Sequence, residues 1–137
     1  MLPHRRDRSP LAAWTLWCDG VFELALGVLL ATAPLTGLLD AFGLPAPAWP
    51  PVVVGFGVLL LPVGAGLVAL SRRWTPDLVR TLGLVNAAGA LLFAFWLGWA
   101  WPAFAAPGRL LTGITAGALA VLAAAELAAS RRSPAVR

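Results

Sequence analysis

Four apolar stretches, each long enough to form a membrane-spanning helix, limit what this chain can fold into. They cover residues 11–33, 51–70, 76–99 and 109–129. A bilayer's hydrocarbon core is about 30 Å thick and a helix rises about 1.5 Å per residue, so a span needs about 20 apolar residues. The pattern therefore predicts an all-α integral membrane protein, a four-helix bundle with short loops.

The overall composition agrees with a membrane-embedded chain. Of its 137 residues, 60% are hydrophobic and 12% are charged, whereas soluble domains carry about 25% charged residues. The first stretch follows a basic segment, as a signal peptide would. We nevertheless expect a retained span, because Asp19 and Glu23 interrupt its apolar run and Pro34 follows the small residues that could form a cleavage site.

The segments between the spans carry their own signals. The longest, residues 34–51, contains apolar residues at helical spacing and predicts a short interfacial helix over 35–43, carried by Leu35, Leu38, Leu39 and Phe42. At the start of the third span, Thr75 is placed to cap the helix, with Pro76 and Asp77 as its first two residues. Thr accepts a free N–H, Pro lacks one, and an acid suits the positive end of the helix dipole.

The positions of the arginines predict the orientation. All ten basic residues are Arg, and nine fall on one side of a four-span weave: Arg5, Arg6, Arg8, Arg72, Arg73, Arg80, Arg131, Arg132 and Arg137. Only Arg109 falls on the other side. By the positive-inside rule, both termini are expected to be cytoplasmic. Residues 1–10 and 130–137 then form basic cytoplasmic tails on either side of a single transmembrane domain, residues 11–129.

The same arrangement explains the basic clusters without a nucleic-acid partner, because the arginines lie at the ends of apolar runs. The richness in Ala, Gly, Pro and Arg, without any Lys, is typical of a GC-rich bacterial genome. We therefore expect a multi-pass protein of the bacterial inner membrane, with the lipid bilayer as its first partner.

Polar side chains inside the spans are the candidates for function. Asp19 and Glu23 are four residues apart and share one helix face. An ionised Asp at the centre of a span costs about 2.5–3.5 kcal/mol on insertion scales, so such residues are functional candidates by default. From the cytoplasmic helix ends, Asp19 and Asn86 lie about 12–14 Å deep and Glu23 and Thr115 about 18–21 Å deep. These four residues are expected to form an intramembrane polar site.

The alternatives to that site are structural. Asn86 and Thr115 could be ordinary interhelical hydrogen-bonding residues. Asp19 could lie in a cytoplasmic vestibule, bonded to backbone or to Arg80. Glu23, near the middle of its span, could be a protonated residue that fixes helix packing.

A second polar pair is expected nearer the cytoplasm. Arg80 and Glu126 both lie about 5 Å from the predicted cytoplasmic helix ends and could form an ion pair. Snorkelling of both side chains to the lipid headgroups is the alternative. In the second span, Pro62 predicts a helix kink that frees the carbonyl of Val58.

Three segments carry a resemblance to a known group: "LWCDGVFELALGVLLATAP", "VGFGVLLLPVGAGLVALSRR" and "LVRTLGLVNAAGALLFAFWLG". Through its Gly, Leu and Ala positions, together with Asp19, Gly20, Gly27 and Asn86, the chain resembles the small bacterial four-helix membrane proteins of the DoxX-like group over about residues 11–129. The resemblance implies a compact inner-membrane bundle, and some relatives are tied to quinone or thiol redox complexes. The chain departs from a redox role because it has one cysteine, Cys18, and no recognisable cofactor motif.

Function is open at this level. The first hypothesis is an accessory or structural membrane module with a polar site around Glu23, associated with a larger membrane protein or with copies of itself. The alternative is an oligomeric transporter, channel or small-molecule-binding protein that uses Asp19 and Glu23 as a protonatable site. A membrane enzyme acting on a lipid or quinone is the second alternative, less favoured because no third catalytic group accompanies the acids. No metal-ligand cluster is visible, and the sequence identifies no cofactor.

Overall fold

The computed structural model describes residues 10–45 and 49–132, and all regular structure in these residues is helical. The elements, in chain order, are α1 (Pro10–Thr32), α2 (Leu38–Phe42), α3 (Pro50–Leu70), α4 (Pro76–Trp99), a 3-10 turn (Trp101–Ala103) and α5 (Ala106–Arg132). Of the two predicted tails, residues 1–9 and 133–137 lie outside the described part.

Four of these helices, α1, α3, α4 and α5, are long and apolar enough to cross a membrane. Their outward faces carry large apolar side chains, such as Leu91, Phe95 and Val121, and Phe95 is 69% exposed. Exposed apolar surface of this extent suits lipid as the surrounding solvent and not water. The fold therefore indicates a multi-pass membrane protein.

The helices pack as two hairpins. α1 packs against α3, and α4 packs against α5, along their lengths. The hairpins meet chiefly through α1 and α5, and α2 lies against α5, whereas α3 and α4 make almost no contact with each other. The bundle is thus tight within each hairpin and open between α3 and α4.

Two glycine pairs bring α1 and α3 together. A Cβ atom at Gly64 would lie 2.6 Å from the carbonyl oxygen of Gly20, and one at Gly27 would lie 3.0 Å from that of Gly57. In each helix the two contacting glycines are seven residues apart, so both fall on the same face after two turns. Small residues at these positions let the two backbones touch, as is common between helices in membranes.

The start of α4 confirms the predicted cap. The Thr75 side chain accepts a 3.2 Å hydrogen bond from the backbone N–H of Leu78, Pro76 is the first residue of the helix, and Asp77 lies in its first turn. The turn between α3 and α4 is therefore fixed by local chemistry.

The interfacial segment forms a shorter helix than the predicted 35–43. Gly37 and Gly43 flank α2 with φ angles of 69° and 51°. This left-handed conformation suits glycine and interrupts a right-handed helix, so α2 is limited to one turn between them. The backbone N–H of Ala105 donates a 3.2 Å bond to the Gly43 carbonyl, which ties α2 to the start of α5.

Pro62 lies inside α3, which continues through it from Pro50 to Leu70. Its side chain is exposed, on the face away from the α1 contact made by Gly57 and Gly64. The kink predicted at this proline stays a prediction.

One end of the bundle is closed. At the end where α1 and α4 begin and α3 and α5 finish, here called the Arg-rich end, all four long helices contribute to one buried cluster. This apolar plug consists of Ala12, Leu16, Leu67, Val79 and Ala129, with Trp74 and Leu82 packed against it. Two of its five members are Ala, so the helices approach closely here.

The glycine contacts predict a position-specific response to one added methyl group. Gly64→Ala should lower the free energy of unfolding by about 1–3 kcal/mol, because its Cβ would meet backbone atoms of Gly20 and Leu24 that cannot move aside. Gly66→Ala, in the same helix, has no atom within 4 Å of the new Cβ. It should leave stability unchanged or raise it slightly. Thermal unfolding in one detergent compares the two variants, and equal effects would contradict the proposed contact.

Candidate functional site

A buried hydrogen bond joins α4 to α5 in the interior of the bundle. The side-chain amide Nδ2 of Asn86 donates to Oε2 of Glu126 at 2.9 Å. Asn86 is 5% exposed and Glu126 is fully buried. Gly83, one turn before Asn86, allows this approach, since a Cβ there would lie 3.2 Å from the Cβ of Glu126.

Asp19 brings the first hairpin into the same group. It is 1% exposed, and its carboxyl lies beside Asn86 and Glu126, close enough to interact with both. Three helices thus contribute one residue each to what we call the polar layer, which consists of Asp19, Asn86 and Glu126. It connects the two hairpins directly above the apolar plug.

The polar layer carries two carboxyls and no cation. Asp19 Oδ1 and Glu126 Oε1 are buried without a hydrogen-bond partner. At this end of the bundle the structure describes the side chains of four arginines. All four are exposed: Arg72, Arg73, Arg80 and Arg131. Among the residues that the structure describes, no three His, Cys, Asp or Glu side chains are placed to hold a metal ion. Two carboxyls that face each other beside an amide can share a proton.

Glu23 lies beside the polar layer, not within it. It is half-buried, one turn beyond Asp19 on α1, and close enough to Asp19 to interact electrostatically. Its Oε2 atom is buried and has no hydrogen-bond partner. Of the three interior acids, Asp19, Glu23 and Glu126, Glu23 is therefore the one nearest the surface.

Thr115 is buried but belongs to a different region. It lies 11 residues before Glu126 on α5, about 16 Å along the helix axis. There it lines an apolar cleft of about 470 Å³ between the hairpins, together with Thr112, Phe93 and Trp96. Of the four residues expected to converge, the structure brings Asp19 and Asn86 together, with Glu23 adjacent and Thr115 apart.

The ion pair expected between Arg80 and Glu126 is absent. Arg80 is exposed, whereas Glu126 is turned inward and bonded to Asn86. α5 continues to Arg132, so Glu126 lies about 9 Å from the helix end and not the expected 5 Å.

Glu126 is the member of the polar layer that is wrongly predicted from its depth along the helix alone. A usable signal is its position on α5: Leu119, Ala123, Glu126 and Ala129 recur at helical spacing, and all four are buried. An acid flanked by small apolar residues one turn away on each side lies on the packed face of its helix.

Comparisons of the chain with protein-family models, with curated proteins and with solved structures give no match. The geometry of the polar layer, the apolar plug and the apolar cleft is therefore the basis for a proposed function.

The polar layer predicts that one amide contributes strongly to stability. Asn86→Ala should lower the free energy of unfolding by about 1–3 kcal/mol, because it leaves the buried carboxyl of Glu126 without its donor. Val85→Ala changes the neighbouring residue, which is 59% exposed, and should have a much smaller effect. Chemical unfolding in detergent measures both variants. If Asn86→Ala lowered the free energy of unfolding no more than Val85→Ala does, the Asn86–Glu126 hydrogen bond would not contribute to stability.

Proposed function

We propose that this protein is an accessory or structural membrane module that associates with a larger membrane protein. The observation that carries the proposal is that the buried polar groups are enclosed by the chain's own helices, with Asn86 bonded to Glu126 and Asp19 of the other hairpin beside them, directly above an apolar plug. An interior closed in this way is suited to holding helices in a fixed arrangement and poorly suited to passing an ion or solute through one copy.

In this proposal the polar layer is internal and Glu23 is the contact residue. Asp19 and Glu126 are enclosed by the chain's own helices and cannot reach a partner. Glu23 is half-buried and retains a carboxyl oxygen without a partner. A basic or polar group on a neighbouring helix would satisfy it at low cost, because intramembrane acids are commonly paired in this way.

Location and orientation belong to the same proposal. The distribution of Arg residues supports a bacterial inner-membrane protein with both termini in the cytoplasm, so the Arg-rich end would face the cytoplasm. The resemblance to the DoxX-like group is compatible with this placement, and no residue role is taken from it. No observation favours the membrane-enzyme reading.

The proposal separates Glu23 from Asp19 in a single experiment. Purified gently from native membranes, the protein should bring down a stoichiometric membrane partner. Glu23→Gln should reduce recovery of that partner at least several-fold while leaving thermal stability near that of the unmodified protein. Asp19→Asn, in contrast, should lower the thermal stability of the protein itself, because Asp19 interacts with other residues of the chain.

The readout is the partner-to-protein ratio by quantitative mass spectrometry, with the melting temperature measured on the same samples. A monodisperse protein recovered without any stoichiometric partner would contradict the accessory role. So would a Glu23→Gln variant that keeps its partner.

A second function, proton-coupled transport by an oligomer, is favoured by one observation. Two carboxyls are buried together, and none of the described arginine side chains lies in the interior beside them, an arrangement typical of proton relays in membranes. A proton could then pass between Glu23 and the polar layer over one turn of α1.

This alternative predicts proton movement that depends on Glu23. Proteoliposomes with an internal pH dye and an imposed membrane potential should show an uptake rate above that of empty liposomes, and Glu23→Gln should abolish it. Asp77→Asn, an exposed acid at the start of α4, is the matched control and should leave the rate unchanged. A rate equal to that of empty liposomes, or one indifferent to Glu23, would remove this alternative.

A further inference from the structure

The apolar cleft occupies the half of the bundle opposite the Arg-rich end. Its volume of about 470 Å³ lies in the range of about 300–1,000 Å³ that is typical of ligand pockets. Both hairpins supply its walls, including Leu26, Val53, Phe56, Leu92, Phe93 and Leu111. It runs about 10 Å along α4, from Leu92 to Trp99. The lining is almost wholly apolar, so the part of a ligand that enters must be a hydrocarbon.

The cleft opens sideways toward the bilayer. α3 and α4 make almost no contact, and the cleft lies between them. Phe56, Leu92 and Phe95 line it and are also exposed on the outer surface. A chain of lipid can therefore enter from the membrane without any movement of the helices.

Two hydrogen-bond donors without partners lie near the end of the cleft that is farthest from the Arg-rich end, one of them on a lining residue. The indole Nε1 of Trp96, which lines the cleft, is buried and makes no hydrogen bond. The Nε atom of Arg109 is also buried and unpartnered, and its guanidinium lies 4.6 Å from the ring centroid of Trp101. Arg109 is one turn before Thr112, another lining residue, and within the described part of the chain it is the one arginine at this end. A positive charge and an indole donor thus accompany an apolar cavity.

The combination of these groups near the membrane boundary identifies the occupant. Arg109 lies three residues after the start of α5 and Trp96 lies three residues before the end of α4, so each is about 4.5 Å inside its helix end. Deeper in the bundle the lining is apolar apart from Thr112 and Thr115. A glycerophospholipid presents a phosphate and ester carbonyls at the membrane boundary and acyl chains below them. A partner helix would fill the apolar volume, but its backbone acceptors are already bonded within the helix and it would need an acidic side chain at this depth, whereas a phospholipid carries its phosphate at the membrane boundary.

We propose that the cleft binds one phospholipid from the leaflet at the Arg109 end. The phosphate accepts hydrogen bonds from Arg109, an ester carbonyl accepts from Trp96 Nε1, and one acyl chain lies between Phe56 and Phe93. The stacking of Arg109 on Trp101 orients the guanidinium for this contact. This site is independent of the polar layer and of the accessory role.

Native mass spectrometry of the purified protein, titrated with phosphatidylglycerol, tests the proposal. One lipid should bind preferentially, and Arg109→Gln should weaken its affinity about tenfold, as expected for loss of a charged hydrogen bond. Trp96→Phe, which keeps the ring packed near Phe104, should weaken it several-fold. Matched controls at the Arg-rich end, Arg80→Gln and Trp14→Phe, are exposed and should leave affinity unchanged.

Three further arms define the ligand. Diacylglycerol with the same chains should bind at least tenfold more weakly than phosphatidylglycerol, and inorganic phosphate alone should not bind measurably. Arg109→Lys should retain more affinity than Arg109→Gln, which separates loss of the cation from loss of the fold. The proposal would be overturned if Arg109→Gln and Trp96→Phe bound the lipid as tightly as their controls Arg80→Gln and Trp14→Phe. Diacylglycerol binding as tightly as the phospholipid, or a lipid-free dimer with the cleft at its interface, would also overturn it.

Discussion

Two carboxyls buried in an apolar membrane domain have to be compensated within the chain, and the rest of this structure depends on how that is done. In a low dielectric, an unpaired acid is far more expensive than in water. Glu126 therefore binds Asn86 from the adjacent helix, and Asp19 from the other hairpin approaches both. Because the hairpins meet mainly along α1 and α5, this polar contact lies where it determines their relative position.

The interior is consequently different at its two ends. At the Arg-rich end, small and branched side chains of all four long helices form a plug that excludes water and lipid from the polar layer. At the other end the walls are large and aromatic, and a cleft separates the hairpins. The polar layer lies between a closed region and an open one. This arrangement explains why the acids interact with other residues of the chain, whereas the apolar cleft is open to a molecule from the membrane.

Much of the fold can be predicted from the sequence because lipid imposes simple rules. Span length and the cap at Thr75 each depend on a few neighbouring residues, and the structure shows the cap directly. The break at Gly37 departs from the predicted helix over 35–43, because apolar spacing alone does not reveal a left-handed glycine. The polar site was harder to predict, since depth along a helix says nothing of which face a residue occupies. Depth alone predicts Glu126 beside Arg80, whereas its helical face directs it to Asn86. Thr115 matched Glu23 in depth, but α5 carries it into the wall of the cleft.

The cleft itself follows from the sizes of side chains along the helices. α1 and α3 touch through glycines at Gly20, Gly27, Gly57 and Gly64, so α3 is held close to α1 along its length. α4 carries no such small residues where it would face α3 near its end, and presents Phe93 and Trp96 there. Trp96 packs on Phe104 at 4.9 Å between ring centroids, which holds the indole against its own hairpin. α3 is thus held by α1, and Trp96 of α4 is held by Phe104 in the connection to α5. Because both walls are fixed within their own hairpins, the gap between them stays open to a flexible acyl chain.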